Sequence, residues 1–158
     1  MSNDFNHAES IGKLLSNLLS LELLARLFLA KKLGQEEFPE DKHKKGDFVT
    51  SNALTNYDTL DKVLKKYNRN SEKKYHVDDK TLTGLRDCLA HGRILTNLQN
   101  NFFKLFKFSR PDKNNTVEIT HLLYMDKNWF DENILFVKRE CDKIINASKK
   151  KMLDLIPN

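Results

Sequence analysis

Between Ile11 and Leu29 the apolar residues return at intervals of three and four: Ile11, Leu14, Leu15, Leu18, Leu21, Ala25, Phe28 and Leu29. That period marks one buried face of a helix. It predicts a long first helix from about Ala8 to Leu33, capped by Asp4 or Asn6 and ended by Gly34. The chain has only 5 Gly and 3 Pro among 158 residues, which disfavours a succession of tight turns and favours long helices. Lys13, Asn17, Glu22, Arg26 and Lys31 interrupt the apolar stretch, so it does not read as a membrane span.

Further along, Gln35 to Thr50 is polar, carries Pro39 and Gly46, and reads as a solvated loop around the mixed run Glu40 to Lys45. Leu54, Tyr57, Leu60, Val63, Leu64 and Tyr67 predict a second helix from about Asn52 to Tyr67. A third helix starts after Val77, with Asp78 or Asp79 as cap. It runs through Leu82, Leu85 and Leu89 to about His91, with continuation toward Leu98 left open. Phe102 to Phe108 and Val117 to Leu122 change to alternation, with turn chemistry at Pro111 to Asn115 between them, which reads as a β-hairpin. A last helix is expected from about Asn128 to Leu155. Trp129, Ile134, Leu135, Val137, Cys141, Ile144, Ile145, Met152 and Leu155 form its buried stripe, and Lys149 to Lys151 its solvated end. The expected fold is mainly α: a bundle of about four long helices in one domain, 1–158, with a hairpin at about 102–123 before the C-terminal helix.

A hydrophobic share of 39% supports a real core, and a charged share of 31% supports a soluble chain. The balance of 27 basic against 22 acidic residues gives +5, which permits an anionic partner and does not demand one. Cys88 and Cys141 have neither CxxC spacing nor a neighbouring histidine, and read as two reduced thiols of a cytoplasmic protein. The start Met1-Ser2-Asn3-Asp4 is polar and acidic, unlike a secretion signal. His7, His43, His76 and His121 are scattered, so neither a metal nor a cofactor is expected. Without a glycine-rich phosphate loop, GxSxG, HExxH or paired CxxC, the corresponding kinase, hydrolase, dinucleotide and zinc-enzyme readings lose support.

The informative segment is Leu85-Arg86-Asp87-Cys88-Leu89-Ala90-His91-Gly92-Arg93. On a helix turning about 100° per residue, Leu82, Leu85, Cys88 and Leu89 share the inner face, and Arg86 and His91 flank the outer one, about 140° apart. Small Ala90 leaves that face approachable. Asp87 lies four residues before His91, so its carboxylate can reach the imidazole and favour the charged ring. Arg86 supplies a planar, always charged fork suited to phosphate. The plainer reading is a set of polar side chains facing solvent, with His91 as a charge at the helix C-terminus.

Arg86-Asp87-Cys88-Leu89-Ala90-His91-Gly92 resembles the motif of the HEPN superfamily. There, an arginine and a histidine four to six residues apart sit on a late helix of a small bundle, often with Asn, Asp or His directly after the arginine. The resemblance covers about ten residues, and the hairpin departs from the minimal HEPN bundle. It implies a metal-independent endoribonuclease, often of toxin–antitoxin or phage-defence systems, acting as a homodimer with two motifs facing one cleft. An antitoxin or regulatory protein is then an implied partner. In that picture His91 is the general acid or base for attack by the ribose 2′-hydroxyl, Arg86 holds the phosphate, and Asp87 orients one of them. The alternative is a non-catalytic HEPN-like dimerisation or binding module.

Other residues bear on this. Glu22 falls near the centre of the apolar stripe of the first helix, where a carboxylate is costly unless paired. Arg26, four residues on, is the local partner for a structural ion pair. A sharper reading takes Glu22 across the bundle to Arg86 or His91. Arg93, seven residues after Arg86, adds a second phosphate contact if the helix extends that far, and is otherwise a C-terminal charge. Lys104 and Lys107 among the phenylalanines suggest RNA stacking, but an amphipathic strand with its Phe side packed inward explains the same pattern and is the expectation here. Trp129 is expected in the core.

Overall fold

The computed structural model describes residues 5–35, 43–97 and 102–153. In chain order these form α1 (His7–Lys32), α2 (Leu60–Asn70), a short 3-10 turn (Lys73–Tyr75), α3 (Asp79–His91), β1 (Arg93–Asn97), β2 (Phe102–Phe108), β3 (Ile119–Tyr124) and α4 (Lys127–Leu153). The protein is mainly α with a small antiparallel sheet. The chain divides into two compact units: residues up to Leu18 with Thr81–Val137, and Leu19–Lys80 with residues from Lys138 onward.

Local chemistry explains where α1 begins and ends. Asn6 Oδ1 accepts the Glu9 N–H at 3.1 Å and caps the start. Gly34, at φ 65°, ends it: the Gly34 N–H bonds Lys31 O and the Gln35 N–H bonds Ala30 O, the double closure that needs a left-handed residue. The expected cap Asp4 and the first half of the Glu40–Lys45 run, residues 40–42, lie outside the described residues. The buried side of α1 holds Leu14, Leu18, Leu21, Ala25, Phe28 and Leu29. Leu15 does not belong to it; 40% of its surface is open.

Two expectations about elements are corrected, and the end of the third helix at about His91 holds. The second helix starts at Leu60, not Asn52, because Asn52 and Asn56 take their neighbours into turns; Asn52 Oδ1 accepts the Leu54 N–H and Asn56 Oδ1 the Asp58 N–H. Tyr57, assigned to a helical stripe, is fully exposed. The third helix stops at His91 and does not continue toward Leu98, since the chain turns at Gly92 into a strand. The hairpin is accordingly two strands of three, in the order β1-β2-β3. Asp112 organises the β2–β3 turn by accepting the N–H groups of Asn114 and Thr116, with Asn115 at φ 59°. The Thr116 amide holds the Asp112 carboxyl below its usual range.

In the first unit the inner face of the sheet carries Phe103 and Leu105. Leu105 is fully buried, as are Leu82, Phe130 and Val137. His7 stacks on Phe103 at 3.6 Å between centroids, edge-on to Phe5 and Phe130. Phe130, absent from the expected stripe, is the buried aromatic of α4, and Trp129 packs against it only half-buried. The second unit buries Phe28 against Tyr67, whose hydroxyl donates to Tyr75 O at 3.1 Å. Burial pushes the Tyr67 phenol up to about 12.

Candidate functional site

Leu82, Leu85 and Cys88 are buried, and that anchors the rotation of α3. Arg86, Ala90 and His91 are thereby exposed, and Asp87 is half-buried at the edge. Behind them the Cys88 thiol is held above its ordinary range, chiefly by burial. A buried, protonated thiol is a packing group and not a nucleophile.

Gly92 fixes the exit from the helix. A Cβ there would stand 2.3 Å from Cys88 O and 2.7 Å from Cγ and Cδ2 of Leu105. The Gly92 N–H also bonds Cys88 O at 2.8 Å. Absence of a side chain thus lets the end of α3 lie directly on the central strand, and sets His91 at the rim of the sheet. The spacing of the motif gave no hint of this packing role.

The polar contacts differ from the expected ones. Asp87 Oδ1 accepts from Arg86 Nη1 at 3.2 Å, with both side chains more than a third exposed. It does not take the His91 imidazole, and among the described residues His91 has no hydrogen bond or ion pair. Adjacent residues on a helix diverge by about 100°, but the long arginine side chain folds back over that angle. Arg93 lies on β1, not on the helix, with its guanidinium carbon 5.3 Å from the Phe108 ring centroid.

Glu22 and Arg26 belong to the second unit. Glu22 Oε1 accepts from Nε and Nη2 of Arg26 at 3.0 and 2.8 Å. Arg26 also donates to Ala53 O (3.0 Å), Asn56 Oδ1 (3.0 Å) and Asp58 O (2.7 Å). The pair ties α1 to the turns before α2. Glu22 is half-buried at the margin of the apolar stripe, and its described partners are those of a structural clasp.

Sequence reasoning missed a second carboxylate. Glu140 on α4 is buried, accepts the Asp78 N–H at 2.9 Å and pairs with Lys143 at 2.7 Å. Its signal was present: it falls between Val137 and Ile144 on the buried period. Cys141 beside it is not in a disulfide, and its thiol is pushed up to about 11, first by burial.

Among the described residues no group of three or more His, Cys, Asp or Glu side chains is placed to hold a metal, and no helix is long and apolar enough to cross a membrane. No known protein family, curated protein or solved structure matches the chain.

Proposed function

We propose that the chain is a metal-independent endoribonuclease of HEPN type, with Arg86 and His91 as its catalytic residues. The observation that carries the proposal is the presentation of both side chains to solvent in the last two turns of one helix, over a buried Leu82, Leu85 and Cys88. His91 has no described competing partner, which leaves its ring nitrogens available to accept or donate a proton.

The chemistry is transesterification. The ribose 2′-oxygen attacks the adjacent phosphorus as an imidazole takes its proton. The bond from phosphorus to the 5′-oxygen breaks, and that oxygen leaves with a proton from a second acid. Products are a 2′,3′-cyclic phosphate and a 5′-hydroxyl. Arg86 stabilises the charge that develops on the non-bridging oxygens. One His91 cannot be base and acid in the same step, so the reading includes a homodimer in which two copies of the motif share a cleft. An apolar surface suited to a second copy exists: Leu15, Leu19, Leu23 and Leu27 form a ladder along α1, 39–60% exposed. A cytoplasmic setting belongs to the same proposal, as does an antitoxin or regulatory protein as partner.

The test is cleavage of mixed RNA in the presence of chelator. The wild-type chain should cut it, leaving cyclic phosphate ends, and His91→Ala should lower the rate by at least about 100-fold. RNA left intact by the purified chain, freed of any bound partner, contradicts the proposal. The Arg86–Asp87 contact favours a second reading, a non-catalytic helical binding module, because the guanidinium is already partnered. On that reading His91→Ala alters self-association in sedimentation and no reaction is found.

A further inference from the structure

The sheet has a second face that the proposed chemistry does not use. Directly opposed residues in antiparallel strands point the same way, and the register pairs Arg93 with Phe106, Lys104 with Tyr124 and Phe106 with Leu122. Arg93, Lys104, Phe106, Phe108 and Tyr124 therefore share one face, opposite the buried Leu105. The Phe side of β2 was expected to pack inward. Instead Phe106 and Phe108 stay half-exposed on this outer face, and Tyr124 is 54% exposed. Their rings are not disordered neighbours. Phe106 and Phe108 stand parallel within 9°, with centroids 6.2 Å apart. The Arg93 guanidinium lies over Phe108, and the Lys104 ammonium is 4.9 Å from the Tyr124 centroid.

We propose that this face is a stacking surface for single-stranded RNA, with bases lying on Phe106, Phe108 and Tyr124 and the sugar–phosphate chain held by Arg93 and Lys104. Flat aromatic faces recognise unpaired bases, because a duplex hides its base faces in its own stack. The two cations over the rings match a polyanion, and no carboxylate stands among the five side chains. A second copy of the chain fits this face poorly, because it would bury Arg93 and Lys104 against a copy of the same face with no carboxylate among the five side chains to pair them. The chain passes from His91 through Gly92 to Arg93, so the stacking face starts two residues beyond the proposed catalytic histidine. The choice of RNA over other single strands rests on the ribonuclease reading; the binding claim does not.

The experiment measures binding of a fluorescent 12-nucleotide 2′-O-methyl RNA to the full chain by anisotropy. That probe has no attacking hydroxyl, so binding is read whether or not the chain cleaves. Phe108→Ala and Tyr124→Ala should each weaken binding by about tenfold. Lys104→Gln should lower the slope of log affinity against log salt by about one. Lys104 is a surface cation, so that variant tests the face even where an aromatic variant loses its fold, which far-UV circular dichroism reports. Unchanged affinity and salt slope in folded variants overturns the proposal. So does a shift in sedimentation toward monomer in Phe108→Ala with RNA affinity intact, which would make the face a self-association surface. Tenfold losses of binding in a chain that cuts no RNA would uphold the stacking face and reject the nuclease.

Discussion

At the scale of single residues, the strongest constraint near the site is steric. Gly92→Ala pushes a methyl group into the backbone of α3 and the side chain of Leu105. Overpacking of this kind should cost about 1–3 kcal/mol, read as a lower urea midpoint with an unchanged slope. An unchanged midpoint would show that the helix exit is less tightly seated than described. His7 makes a different prediction. Burial lowers its pKa below the ordinary 6.5, against a smaller opposing effect of the Met125 backbone. The unfolded chain then binds the proton more readily than the folded one. The contribution of His7 to stability is complete above about pH 6.5 and is lost as pH falls toward the folded value. Stability should therefore decline as pH falls below about 6.5, and His7→Phe, which keeps the ring against Phe103, should flatten that decline. An equally steep profile in the variant would place the titrating group elsewhere.

At the scale of elements, Arg26 does more than any other side chain to shape the second unit. It bonds Glu22 on its own helix and three positions of the 53–58 segment. Arg26→Lys keeps the charge and loses the fork, and should destabilise by about 2–3 kcal/mol, because several partners of a half-buried ion cannot all be regained. Native-state hydrogen exchange should show residues 53–58 opening first; protection there equal to wild type would contradict the assignment. This region also shows why the second helix was misread. Leu54 and Tyr57 fit the apolar period, but two Asn side chains, at 52 and 56, satisfy nearby amides locally and compete with the helix. The long helices α1 and α4 were legible because amphipathic period dominates over their length. β1 was not. Five residues at 93–97 carry little period, and only the close contact of Gly92 with Leu105 ends the helix before them. The site was legible to the same extent: the apolar frame of α3 fixed which way Arg86 and His91 point, whereas the partner of Asp87 depended on side-chain reach. The outward Phe106 and Phe108 could not be read from alternation, which shows that two faces differ and not which one is buried.

At the scale of the whole molecule, the nuclease reading requires two motifs in one cleft and hence a second copy. In the proposal the exposed Leu15, Leu19, Leu23 and Leu27 of α1 are the surface for it. Leu19→Asp with Leu23→Asp places two charges on that exposed stripe and removes no buried side chain. It should leave the helical circular dichroism intact and shift sedimentation from dimer to monomer. RNA cleavage should fall with it, while binding to the sheet face should persist. A dimer that survives the double substitution would put the interface on another surface.

In the proposed reaction an imidazole and a guanidinium at the end of α3 direct a ribose hydroxyl onto its own phosphate. The most direct measurement is cleavage, in chelator, of an RNA oligonucleotide against the same oligonucleotide carrying a single 2′-deoxy sugar at the mapped scissile position. The all-ribose strand should be cut to a 2′,3′-cyclic phosphate, and the single deoxy sugar should block cutting at that position. Cutting at the deoxy position, or no cutting of either strand, would contradict it.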